Sequence, residues 1–87
     1  MKMIIREFWE KVDTSHKVGG MFPVIKGEYV LKSSSTYPNA GGWKAEKDFA
    51  DNAKHRNKYL GKDDGGYKFD LGTAYGINSY QIVSFEA

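Results

Sequence analysis

Met1-Lys2-Met3-Ile4-Ile5-Arg6-Glu7-Phe8-Trp9-Glu10-Lys11-Val12 is the stretch on which the fold turns, because its two readings build different architectures. Apolar side chains fall at Met1, Ile4, Ile5, Phe8, Trp9 and Val12. That is the i, i+3/i+4 series of a helix with a wet face of Lys2, Arg6, Glu7 and Glu10. The strand alternative has composition on its side, since Ile, Phe and Trp favour sheets. Strict alternation fails, however, because charges fall on both faces, and the spacing predicts a helix over residues 1–12.

Beyond Val12 the texture changes. Gly19-Gly20 is a turn signal, and Met21-Phe22-Pro23-Val24-Ile25 follows as a short apolar run. Pro23 cannot donate a ladder hydrogen bond, so it marks an edge or the start of a strand. Lys26-Gly27 reads as a second turn and Glu28–Lys32 as the returning strand, which together predict a hairpin. Residues 33–42 read as a polar loop ending in Asn39-Ala40-Gly41-Gly42.

Residues 43–60 carry a helical pattern. At 100° per residue Ala45, Phe49, Ala53 and Leu60 share one stripe, with Lys44, Lys47, Asp48, Asp51, Lys54, His55 and Lys58 opposite. Acids come first and bases second, complementing a helix dipole, and Gly61 stands where a cap belongs. Lys62–Gly66 is a turn; Tyr67, Phe69 and Leu71 then alternate with Lys68 and Asp70 as a half-buried strand. A last strand around 79–85 completes a C-terminal hairpin. The order α-β-β-α-β-β predicts an α+β fold in a single domain over residues 1–87. It would have a four-stranded, mainly antiparallel sheet, with the 43–60 helix and the 1–12 helix packed on one face.

The chain of 87 residues has 40% apolar residues and no cysteine, which removes disulfides, thiolate zinc sites and a cysteine nucleophile together. Absence of cysteine fits a cytoplasmic address. The longest uncharged run, Leu71 to Phe85, is too polar for a membrane helix, and Arg6, Glu7, Glu10 and Lys11 interrupt any signal-peptide core. Thirteen bases against eleven acids give a net charge of +2, which does not by itself demand a nucleic-acid partner.

Candidates for chemistry are few. His16 follows Asp13, Thr14 and Ser15, a set that resembles a nucleophile–base–acid trio on paper but is explained by turn chemistry. His55 lies one helical turn after Asp51 with no His or Cys partner at helical spacing, so no metal and no cofactor are expected. Asp63-Asp64 lacks the later ligands of a calcium loop. Gly41, Gly42 and Lys44 run into the predicted helix start, where backbone N–H groups could bind a small anion or nucleotide, although no phosphate-loop pattern is present. Lys54, Arg56 and Lys58 make the helix's second half basic, which gives nucleic-acid binding as an alternative.

Thirteen aromatics exceed what so small a core can use. Tyr37, Trp43, Tyr75 and Tyr80 lie in or beside polar, glycine-rich stretches, the chemistry of a contact surface. The expectation is a non-catalytic binding module that docks a protein partner through these four, with Lys54, Arg56 and Lys58 as a charged rim. In size and lack of motifs it is the kind of object that phages and mobile elements encode as inhibitors of host or defence proteins, without resemblance at the level of residues. No membrane partner is expected. The sequence leaves the oligomeric state open, and an exposed edge at Met21–Ile25 would allow a dimer.

Overall fold

Lys2–Val12 is a strand, β1, in the computed structural model, which describes residues 1–87. It is followed by β2 (Val24–Tyr37), a 3-10 turn (Ala40–Gly42), α1 (Glu46–Ala53), β3 (Tyr59–Asp63), β4 (Gly66–Ala74) and β5 (Ile77–Glu86). All strand pairings are antiparallel, in the order β2-β1-β5-β4-β3. The architecture is therefore mostly β, with five strands and one short helix. The four-stranded sheet with helices over 1–12 and 43–60 is corrected accordingly.

Three of the four charges that argued for a helix at the N-terminus are met by cross-strand partners. Arg6 donates to Ser84 Oγ at 3.0 Å, and Glu7 accepts the Ser33 hydroxyl at 3.2 Å. Glu10 accepts the backbone N–H of Gly27 at 3.1 Å and of Asn78 at 2.9 Å. β1 lies between two strands, so both its edges are paired, and neighbours across the sheet rather than along the chain meet its charges. Met3 and Ile5 turn to the helix side, with Glu7 and Trp9 in the same row; Ile4, Arg6, Phe8 and Glu10 turn to the other.

The predicted 21–32 hairpin is also replaced: β2 runs as one strand from Val24 to Tyr37 and pairs with β1 on both sides of an irregularity at Lys26–Glu28. Gly27, read as a turn residue, has φ +86° and sits where the register shifts between Glu10 and Lys11. Positive φ serves a bulge as readily as a turn, and here the bulge aims the Gly27 N–H at Glu10. The Ser33–Thr36 run continues the strand rather than looping out.

β2 and β3 are opposite edges of the sheet, so the chain between them must cross a face. That crossing carries the 3-10 turn and α1. The helix ends at Ala53, and beyond it His55 and Arg56 donate to the carbonyls of Asn52 and Ala53 in tight turns. Asn52, Asn57 and Gly61 are weak helix formers, and Leu60, placed on the predicted helix stripe, is instead on β3 and 57% exposed. Phe49 and Ala53 do form the buried stripe of α1.

The core lies under this helix and joins Met3, Ala40, Phe49, Ala53, Tyr67, Phe69 and Val83. Phe49 is its centre, edge-to-face with Tyr67 and Phe85 at 5.1 Å and with Trp43 at 5.4 Å. Glu46, at the start of α1, accepts the Tyr67 hydroxyl and pairs with Lys62, each at 3.1 Å, which ties the helix to β3 and β4. A turn before β4 and a C-terminal β4–β5 hairpin form as the sequence predicts, but β4 runs on to Ala74 and β5 starts at Ile77, leaving only Tyr75-Gly76 as the turn.

Candidate functional site

α1 covers the end of the sheet that holds Met3, Tyr67 and Phe85, and leaves the other end of the same face open. There Glu7, Trp9, Leu71, Ala74, Tyr75, Ile77 and Ser79 line a cleft of about 420 Å³. Its floor follows from the register, since Glu7 pairs with Gln81 and Trp9 with Ser79. One wall comes from β4, where the register shifts between Asp70 and Gly72 and leaves Leu71 as the extra residue. The Asp70 carboxylate accepts the Gly72 N–H at 2.7 Å and holds that bulge. The rim is the Tyr75-Gly76 turn, which joins Ala74 to its partner Ile77.

This turn is unusual for its side chain. Tyr75 has φ +54° and Gly76 φ +76°, the two left-handed positions of a type I′ turn. Asn-Gly is the favoured pair there, and a tyrosine in that conformation costs about 1 kcal/mol. Yet Tyr75 is 89% exposed and recovers little through packing. The cleft holds one charged group, Glu7, whose carboxylate is engaged by Ser33. Lys32 stands 5.9 Å from the Trp9 ring centroid at its flank.

The opposite face carries a row of rings that pack on one another. Phe8 stacks on Tyr80 at 4.9 Å, Tyr29 meets Tyr80 edge-on at 4.8 Å, and the Lys68 ammonium lies 4.2 Å from the Tyr80 centroid. Burial pushes the Tyr80 hydroxyl's pKa upward, with smaller contributions from nearby Tyr29 and Asp63. Both sides of Tyr80 are thus occupied within the chain.

Comparison with known protein families, with curated proteins and with solved structures finds no match. What the chain offers is its own geometry.

That geometry separates the sequence-predicted residues. Tyr75 is on the cleft rim, whereas Tyr80 is on the far face. Tyr37 pairs with Met3 at the end of β2, and Trp43 packs on Phe49 at the covered end of the sheet. The Arg56 guanidinium sits 5.2, 5.5 and 5.6 Å from the rings of Phe49, Phe69 and Trp43, as a lid on the core. Lys54 and Lys58 are exposed and form no salt bridge. Gly41 and Gly42 lie in the 3-10 turn, and α1 begins only at Glu46, with Glu46 and Asp48 in its first turn. A Cβ on Gly41 would overlap the Met3 Cε, so packing already accounts for this glycine. Lys44 is exposed between the two elements.

Elsewhere, Asp13 accepts the Ser15 N–H at 3.0 Å and its hydroxyl at 2.6 Å, which forms a local turn and holds the Asp13 carboxyl below its usual range. No group of three His, Asp or Glu side chains is placed to hold a metal. No helix is long and apolar enough to cross a membrane.

Trp9, Leu71 and Ile77 are the cleft residues that sequence reasoning missed. The helix reading sent Trp9 inward. The signal that finds it is the odd-numbered row Met3, Ile5, Glu7, Trp9, whose first half is under α1 and whose second half is not.

Proposed function

We propose that this chain is a binding module that docks a protein partner at the Trp9–Tyr75 cleft, the partner inserting an apolar side chain between Trp9, Leu71 and Ile77. The observation that carries the reading is Tyr75, a large aromatic held at positive φ and almost fully exposed on the rim of an apolar cleft. Strain that folding does not repay is a mark of a contact residue, and Trp and Tyr are the side chains that anchor protein interfaces. Such a module acts by occupying its partner's surface, and inhibition of a host or defence protein of the phage-encoded kind is the form of that action we propose to test first.

The test is affinity capture from the native cell with mass spectrometry, using wild type and Tyr75→Asn as baits, each with and without nuclease. Asn-Gly preserves the turn while removing the ring. A protein retained by wild type through nuclease treatment and lost from the variant supports the reading. Equal retention by both baits overturns the cleft, and capture abolished by nuclease replaces it with the nucleic-acid alternative through Lys54 and Lys58.

A further inference from the structure

We propose that two copies of this chain pair through the outer edge of β2, antiparallel and centred on Val30, to make one continuous ten-stranded sheet. β2 is a 14-residue strand with nothing on its outer side. A long edge presents a row of unpaired backbone groups, the template for another strand. Its register with β1 shifts twice, and the regular run between the shifts is Tyr29, Val30 and Leu31, opposite Glu10, Trp9 and Phe8. Glu28 and Lys32, which flank this run at the two shifts and have no partner on β1, are exposed.

The sequence around Val30 is self-complementary. A twofold axis through Val30 sets Glu28 against Lys32 of the second copy and Lys32 against its Glu28. On the other face it sets Tyr29 against Leu31, two residues that are exposed in the single chain. Cross-strand pairs of unlike charge, and of aromatic with aliphatic residues, each stabilise a sheet. Centring on Tyr29 instead opposes Lys26 to Lys32, and centring on Leu31 opposes Glu28 to Ser34. Of the three centres in the regular run, only Val30 pairs unlike charges. Charge complementarity therefore selects both the occupant, a second copy, and its register.

The experiment is light scattering after size exclusion, from micromolar to millimolar protein, with circular dichroism to confirm that each variant is folded. Wild type is expected to approach twice the 9.8 kDa chain mass as concentration rises. Glu28→Lys and Lys32→Glu should each return it to the single-chain mass, and the double exchange should restore the doubled mass. Because the chain has no cysteine, Val30→Cys adds a second reading. In this register the two introduced thiols face each other and oxidise to a covalent dimer, whereas Ser34→Cys sets its thiols about 26 Å apart at about 3.3 Å per residue. A single-chain mass for wild type at every concentration overturns the proposal. So does a doubled mass that the single charge reversals leave in place, a double exchange that fails to restore it, or equal crosslinking at the two cysteine positions.

Discussion

The Glu10 carboxylate on β1 accepts the backbone N–H of Asn78 on β5 at 2.9 Å, while its other oxygen takes the Gly27 N–H of β2 at 3.1 Å. One side chain, 3% exposed, thus joins three strands at the point where the β1–β2 pair leaves the rest of the sheet. The Asn78 bond is the main reason that the Glu10 carboxyl ionises below its usual range; desolvation opposes it and the Gly27 bond adds to it. A group whose pKa is depressed on folding stabilises above the unfolded carboxylate pKa, and that contribution disappears as pH falls through the folded value. The melting temperature should therefore drop on acidification below the ordinary carboxylate range, and Glu10→Gln should remove part of that dependence. At neutral pH the amide offers one acceptor where two donors need one each, so Glu10→Gln should also lower Tm by about 5 °C. A variant with the wild-type Tm and acid profile would show that Glu10 does not hold the junction.

Phe49 gives the largest expected stability effect. It is 1% exposed and touches the rings of Trp43, Tyr67, Phe69 and Phe85. Phe49→Ala empties the only layer between α1 and the sheet and should cost about 3–5 kcal/mol, enough to unfold much of so small a domain at room temperature. Phe49→Leu should retain a cooperative urea transition at lower midpoint. A Phe49→Ala protein with a wild-type midpoint would mean that the helix is not part of the core.

These two residues also mark what the sequence could convey. Phe49 and Ala53 lie on the stripe that helical periodicity singles out, and both are buried on the helix. The β4–β5 hairpin was likewise legible, because alternation at Tyr67 and Phe69 is unbroken by a partner's needs. Glu10 was not. Its charge sits on a face that reads as wet, and it becomes buried only because Gly27 and Asn78, 17 and 68 residues away, supply donors. Local periodicity weighs neighbours along the chain, while a central strand is shaped by neighbours across it. The same reason split the expected partner surface. Tyr37, Trp43, Tyr75 and Tyr80 share a composition of surroundings, but the crossing from β2 to β3 and the alternation of β5 send them to different places. Gly27 shows a third limit: left-handed backbone is readable from glycine, but a turn and a bulge use it alike.

At the β4–β5 turn, stability and binding should move in opposite directions. Tyr75→Asn converts the pair to Asn-Gly, relieves a left-handed tyrosine and should raise unfolding free energy by about 1 kcal/mol. The same change removes the ring from the rim of the cleft and should weaken partner capture. Paired urea titration and capture would resolve the two effects. A less stable variant would show that the Tyr75 ring contributes to folding and that its strain is repaid within the chain.

Trp43 should behave in the contrary way, although both residues look alike in sequence as aromatics beside glycine. Its indole is half-buried, edge-on to Phe49 at 5.4 Å, with the Arg56 guanidinium 5.6 Å from its ring. Trp43→Ala removes that contact area and uncovers Phe49, which should cost about 2 kcal/mol. Arg56→Ala should cost less, about 1 kcal/mol, because the guanidinium meets the three rings from the solvent side and loses packing as well as charge. The two losses should not add, since both residues cover Phe49, and a double-mutant cycle by urea denaturation measures the shortfall. With Trp43 replaced by Phe, Trp9 becomes the sole indole and reports on the cleft directly. Its emission should stay that of a solvent-exposed indole in the free protein and shift to the blue when the partner enters. If Trp43→Ala leaves the midpoint unchanged and abolishes capture, the contact surface belongs at the covered end of the sheet and the Trp9–Tyr75 cleft is displaced from the role assigned to it.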